Sequence, residues 1–230
     1  LNISAISFDV DAILIDTDRV IMRSMQSVRD ELIKCVPGRR AQGLTVERMW
    51  YIRDQEEKGY TGNLKDYDEI RRRSFIKMLE FVGHPGPDIS TRLNEVYMKH
   101  RYEDIDPYED VVPTLNALGP RFKLGLLSNG NNYPEYFGLA ERFDFATFAQ
   151  DIGIEKPDPR TFQIAARRAG CDLDQLLHVG DSLETDVEGA KAVGVRAAWL
   201  NRDGKPNESG TKPDYEIALL TELPALLGKD

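Results

Sequence analysis

Apolar and polar positions divide the chain into three zones with different periods. Residues 3 to 8, "ISAISF", form a short, nearly continuous apolar run that reads as a first strand buried on both faces. Between residues 17 and 104 the spacing changes to three and four. Ile21, Met25, Val28, Leu32 and Val36 fall on one stripe, as do Ile70, Ser74, Met78 and Val82, and again Ile89, Leu93, Val96 and His100. That period predicts helices. Gly38, Gly59, Gly62, Gly83 and the segment "GHPGPD" separate them. No β-rich run interrupts the zone, so it reads as a small helical bundle.

From residue 110 onward helical and strand patterns alternate. "VVPTLNALG", "PRTFQIAARRAG" and "TDVEGAKAVG" read as helices, and "FKLGLLSN", "FATFAQD", "LLHVGD" and "RAAWLN" as strands. Short apolar strands alternating with helices predict a parallel sheet covered on both faces. The isolated first strand joins that sheet most simply, which makes the helical zone an insertion. The expected fold is therefore α/β, a Rossmann-like core of residues 1–16 and 105–230 with an inserted helical cap of residues 17–104. The polar, Gly/Pro-rich stretch "NRDGKPNESGTKPD" reads as an exposed connection before "YEIALL".

Composition narrows the possibilities. The chain has 230 residues, 41% hydrophobic and 30% charged, a mix able to bury a core. No apolar run approaches the ~20 residues that span a bilayer. The first residues carry acids and no basic stretch, unlike a secretory signal. With 30 basic and 39 acidic residues the net charge is −9, which argues against non-specific nucleic-acid binding. Cys35 and Cys171 have no metal-ligand spacing and make no disulfide framework, so a reducing cytoplasm is the expected setting. Both cysteines are expected to behave as small buried hydrophobes.

The chemistry is expected where parallel strands end. Asp9 and Asp11 follow the first strand, one residue apart, although each disfavours ionisation of the other. Ser128 and Asn129 end a second strand, Lys156 precedes a helix in "IEKPDP", Asp181 ends "LLHVGD", and Asp186 follows five residues later. Four carboxylates, a hydroxyl and a lysine thus share one rim. His178, inside an apolar strand, is expected to be structural. The run Arg71-Arg72-Arg73 reads as a solvated helix face, and Trp50-Tyr51 as cap core. "GNNYP" is expected to border the pocket without an assigned role.

In these blocks the chain resembles the haloacid dehalogenase-like (HAD) hydrolase superfamily. "DVDAI" is similar to its DxDx[TV] block, "LLSNG" to its Ser/Thr block, "EKPDP" to its Lys block and "GDSLETD" to its acidic block, all in order. The resemblance implies a Mg²⁺-dependent phosphatase acting on a small phosphorylated metabolite. Asp9 would be the nucleophile, forming an aspartyl-phosphate, and Asp11 the proton shuttle. Ser128 and the Asn129 backbone N–H would bind the transferring oxygens, and Lys156 would offset their charge. The Mg²⁺ would be held by Asp9, Asp181 and the Asp11 carbonyl, with Asp186 supporting the site. The commoner family form has Gly-Thr where this chain has Ala12 and Ile13; a positive φ at Ala12 would cost about 1 kcal/mol. Two other readings accompany this one, a 2-haloacid dehalogenase and a catalytically silent binding or regulatory module. The dehalogenase chemistry needs neither metal nor second acid, so Asp11 and Asp181 count against it. Either a monomer or a homodimer is expected.

Overall fold

The computed structural model describes residues 2–62, 64–103 and 105–228. The chain divides into two compact units, Leu1–Asp16 with Asp106–Asp230, and Thr17–Ile105.

The first unit begins with β1 (Ala5–Phe8), buried at every position. The second unit follows as five helices: α1 (Thr17–Cys35), α2 (Arg39–Gln42), α3 (Val46–Lys58), α4 (Tyr67–Val82) and α5 (Pro87–Arg101). Its interior is built from Ile21, Met25, Val28 and Leu32 of α1, Phe75, Met78, Leu79 and Val82 of α4, and Leu93 and Tyr97 of α5. Each such fully buried side chain stabilises the unit by about 1.5–3 kcal/mol. Local signals set the limits of α4. Asp66 accepts the N–H groups of Asp68 and Glu69 at its start, and Gly83 ends it at φ 77°.

In α5 the buried stripe is Ser90, Leu93, Tyr97 and Arg101, one register away from the sequence expectation, and His100 instead pairs with Glu103 at 2.9 Å. Arg71 is buried between Asn94 and Asp68, with its guanidinium 5.4 Å from the Tyr97 ring centre, while Arg72 and Arg73 pair with Glu69. The three arginines are therefore not one solvated face. Trp50 packs against the interior but Tyr51 is half exposed, with Arg48 4.9 Å from its ring centre. Cys35 and Cys171 are only partly buried, and both are free thiols.

The first unit resumes with α6 (Val111–Leu118), β2 (Lys123–Ser128), β3 (Phe145–Phe148), α7 (Ala149–Ile152), α8 (Pro159–Ala169) and β4 (Leu176–Gly180). A π-helical turn over Leu183–Glu188 leads into α9 (Gly189–Lys191), and β5 (Arg196–Leu200), β6 (Tyr215–Ile217) and α10 (Leu223–Leu226) complete it. The sheet is parallel throughout, in the order β3-β2-β1-β4-β5-β6. Helical patterning of "TDVEGAKAVG" misses the π turn, and "FATFAQD" is a four-residue strand followed at once by α7. Beneath the sheet, Phe162, Ala165, Ala166 and Ala169 of α8 pack with Val187, Ala190 and Trp199. Helix α8 follows its sequence closely: Asp158 caps it by accepting the Arg160 N–H, Pro159 opens it, and Gly170 closes it at φ 69°.

The two points where the chain leaves and re-enters this unit lie side by side. Ile15 bridges Pro107, and the Tyr108 N–H donates to the Leu14 carbonyl at 2.9 Å. No helix among the described residues is long and apolar enough to cross a membrane.

Candidate active site

The parallel strands bring their C-terminal ends to one edge. The ladder of β1 extends one residue past Phe8, because the Asp9 N–H still donates to the Val179 carbonyl at 2.9 Å. The Asp9 carboxylate is then fixed at both oxygens: Oδ1 accepts the Val10 N–H at 2.8 Å, and Oδ2 lies 3.2 Å from Lys156 Nζ. A tight turn follows, in which Ala12 N–H donates to Ile15 O at 3.0 Å and Leu14 N–H to Val10 O at 2.9 Å. Ala12 sits at φ 62°, the only non-glycine residue at positive φ among the described residues. Arg202 braces this turn, donating to the Ile13 carbonyl at 3.0 Å and to both oxygens of Asp110.

At the end of β2, Ser128 is buried and its Oγ accepts the Gly130 N–H at 3.1 Å. The Asn129 side chain ties the lysine loop to this strand end. Its Nδ2 donates to the Lys156 carbonyl at 2.9 Å and its Oδ1 accepts the Lys156 N–H at 2.7 Å. Lys156, 1% exposed, is thereby held with its ammonium 2.7 Å from Asp186 Oδ1.

At the end of β4, Gly180 leaves room for the Asp186 carboxylate, since a Cβ there would stand 2.2 Å from Asp186 Oδ2. The π turn curls Asp186 back toward the strand end, and its Oδ2 accepts the Ser182 N–H at 2.9 Å. The Asp181 carbonyl accepts the Trp199 indole N–H at 2.8 Å. Beneath them His178 bridges Ser7 Oγ, 2.9 Å from Nδ1, and Asp186 Oδ1, 3.2 Å from Nε2. An ionised carboxylate can only accept, so Nε2 carries the proton and Nδ1 accepts from the Ser7 hydroxyl.

Charge is crowded at this edge. Burial, reinforced by Asp186, Asp11 and Asp181 and opposed by Lys156, pushes the Asp9 carboxyl up to about 7. Dense surroundings and then the Asp186 charge raise Asp181 to about 6, although its side chain reaches solvent. Burial alone would raise Asp186 too, but Lys156 and His178 hold it well below the usual carboxylate range. Burial works against the charge on Lys156, yet Asp186 and Asp9 keep its pKa above the ordinary lysine value. Burial and the Lys156 charge lower His178, so the imidazole is neutral. Breaking a buried pair such as Lys156–Asp186 costs about 3–5 kcal/mol, because the survivor is left charged and unpaired.

Asp9, Asp181 and Asp186 each offer a carboxylate oxygen, all within 4.8 Å of one another. Oxygen-only donors suit a hard cation such as Mg²⁺. The raised pKa values of Asp9 and Asp181 mark a concentration of negative charge that a divalent ion would relieve. The donor set therefore fits a metal. The Asp11 carboxylate stands outside this trio, bonded instead to Asn132 Nδ2 at 2.5 Å.

The structure thus brings Asp9, Lys156, Asp181 and Asp186 together, with Ser128 and Asn129 tied to the same edge. Sequence reasoning gave no role to Ser7, Gly130 or Asn132 and read His178 as a buried structural residue, without its link to Asp186. For Asn132 the sequence offered position alone: it lies four residues past Ser128, on the rim that carries the other polar groups, with nothing to pair it with Asp11.

A haloacid dehalogenase-like hydrolase family model matches residues 3–194, and the chain belongs to that family. Its relatives differ in their chemistry. The glyceraldehyde 3-phosphate phosphatase of Methanopyrus kandleri is 28% identical over 96% of this chain and 95% of its own. The 5-amino-6-(5-phospho-D-ribitylamino)uracil phosphatase YigB of Escherichia coli is 30% identical over 98% and 97%. A 2-haloacid dehalogenase from Pseudomonas syringae pv. Tomato is similar in structure, with a TM-score of 0.79, 34% identity and 99% of both chains covered. The chain is accordingly a hydrolase of this family, whose members at this level of identity include both phosphatases and dehalogenases.

Proposed function

We propose that the chain is a Mg²⁺-dependent phosphatase that hydrolyses a small phosphomonoester through an aspartyl-phosphate. The observation that carries this reading is the carboxylate trio Asp9, Asp181 and Asp186 within 4.8 Å, beside a second strand-end acid, Asp11. When bound by Asp9, Asp181 and the Asp11 carbonyl, with Asp186 in support, Mg²⁺ offsets the charge of the phosphate dianion against these acids.

Asp9 attacks phosphorus through a carboxylate oxygen, and the bond to the leaving oxygen breaks. Asp11 gives that oxygen its proton. In the second half it takes a proton from the water that attacks the aspartyl-phosphate, which frees Asp9 and releases inorganic phosphate. Ser128 Oγ and the Asn129 N–H bind the transferring oxygens. Lys156 stabilises the charge on them while fixing the position of Asp9. His178, neutral and anchored on Ser7, holds Asp186 against Lys156.

The likeness to the Pseudomonas syringae dehalogenase favours a second reading, displacement of halide by the same Asp9 nucleophile. That chemistry leaves the carboxylate trio and Asp11 without a task. Release of p-nitrophenol from its phosphate, with and without Mg²⁺, decides between the readings. Metal-dependent turnover that falls more than about a thousandfold in Asp9→Asn is expected. Metal-independent chloride release from 2-chloropropionate would replace the phosphatase reading with the second one. Inactivity against a broad panel of phosphomonoesters and haloacids would make the fold a binding module.

A further inference from the structure

The loop that follows β2 holds the acid that follows β1. Asn132, 1% exposed, donates Nδ2–H to Asp11 Oδ1 across 2.5 Å. Gly130 lies against the other oxygen of the same carboxylate, where a Cβ would stand 2.2 Å from Asp11 Oδ2. Any side chain at Gly130 would therefore displace Asp11. The Gly130 N–H is bonded to Ser128 Oγ at 3.1 Å, which fixes the loop to the strand end. Just beyond it, the Tyr133 ring packs 4.3 Å from the Phe148 ring centre and its hydroxyl donates to Asp151 at 2.8 Å. One anchored loop thus defines the position of both Asp11 oxygens.

We propose that Gly130 and Asn132 form a positioning cradle for Asp11, directing the carboxyl toward the leaving oxygen of the substrate. This rests on the reading of Asp11 as proton donor in a phosphatase. Asn132 acts through Asp11: proton transfer requires donor and acceptor within hydrogen-bond reach, and a carboxyl free to rotate loses that alignment. Asn132 is an amide donor and Oδ1 an acceptor, so this bond leaves the second carboxyl oxygen to carry the proton that is transferred.

A leaving-group series isolates this role. p-Nitrophenolate is a weak base that departs without a proton, whereas the alkoxide of benzyl phosphate requires one. Because kcat/KM covers only the steps up to the aspartyl-phosphate, it excludes the later hydrolysis that all the esters share. With Mg²⁺ present, p-nitrophenyl, phenyl, p-methoxyphenyl and benzyl phosphates are compared in the full-length protein, in Asn132→Ala and in Asn132→Leu. The leucine fills a similar space and cannot donate. Both variants are expected to lose about 10- to 100-fold in kcat/KM on benzyl phosphate while staying within about threefold on p-nitrophenyl phosphate, with unchanged melting temperature. Equal losses on every ester, no loss at all, or recovery of the wild-type slope in Asn132→Leu would each overturn the cradle and leave the phosphatase reading intact. A wild-type protein that turns over none of the esters would overturn both.

Discussion

Ala12 occupies a backbone conformation that L-residues avoid, at φ 62° in the turn just past the two strand-end acids. Placing a Cβ there costs about 1–2 kcal/mol, and glycine avoids that cost. Glycine also gains about 0.4–1 kcal/mol of freedom in the unfolded chain, which partly cancels the relief. Ala12→Gly is therefore expected to stabilise the protein by about 0.5–1 kcal/mol, raising the melting temperature by roughly 2–4 °C per kcal/mol. Thermal and urea unfolding of the pair check it, and a destabilised variant would contradict the strain. The family resemblance made this residue legible beforehand, because the commoner form of the "DVDAI" block has glycine where this chain has Ala12. Asn132 was not, since an asparagine after a strand carries no mark of the distant carboxylate it will meet. The histidine in "LLHVGD" was correctly expected to be buried, but its link to Asp186 depends on the π turn that no residue pattern announces.

At the scale of elements, parallel strands deliver their acids to one edge whether or not those acids suit one another. With Asp9 at about 7 and Asp181 at about 6, against a usual 3.8, the folded protein keeps protons that the unfolded chain releases. Without metal, these two groups therefore make stability fall as pH rises from about 4 to about 7. Mg²⁺ held by this trio would compete with those same protons, so its affinity would rise as the carboxyls ionise. The gain in melting temperature from saturating MgCl₂ should accordingly be larger at pH 8 than at pH 5, at matched ionic strength. A gain of equal size at both, or none at pH 8, would rule out the trio as the ion's ligands. The long strands and the amphipathic α8 could be read from period alone. The stripe of α5 could not, because Tyr97 and Arg101 bury where the flanking Val96 and His100 look equally suitable. The three-residue edge strand Tyr215–Ile217 is too short for its alternation to register.

For the whole molecule, the adjacency of Ile15 and Pro107 matters most. The exit and the return are hydrogen-bonded neighbours in the sheet-bearing unit, so that unit can close across a short connection. Replacing residues 17–105 with a short glycine-serine linker should leave an α/β protein with a single cooperative thermal transition, read by circular dichroism. A molten, non-cooperative product would show that the insertion is required for the core to form.

The strand order has a consequence for how the protein is made. β1 lies between β2 and β4, whose first paired residues are Lys123 and Leu176. A ribosome adding about 5–20 residues per second emits β1 on the order of ten seconds before its second neighbour exists. Throughout that interval a strand buried at every position, with Asp9 at its tip, lacks that neighbour beside a growing chain. The helical unit has an interior of its own, built from residues between Ile21 and Tyr97, so that interior can close while β2 and β4 are still untranslated.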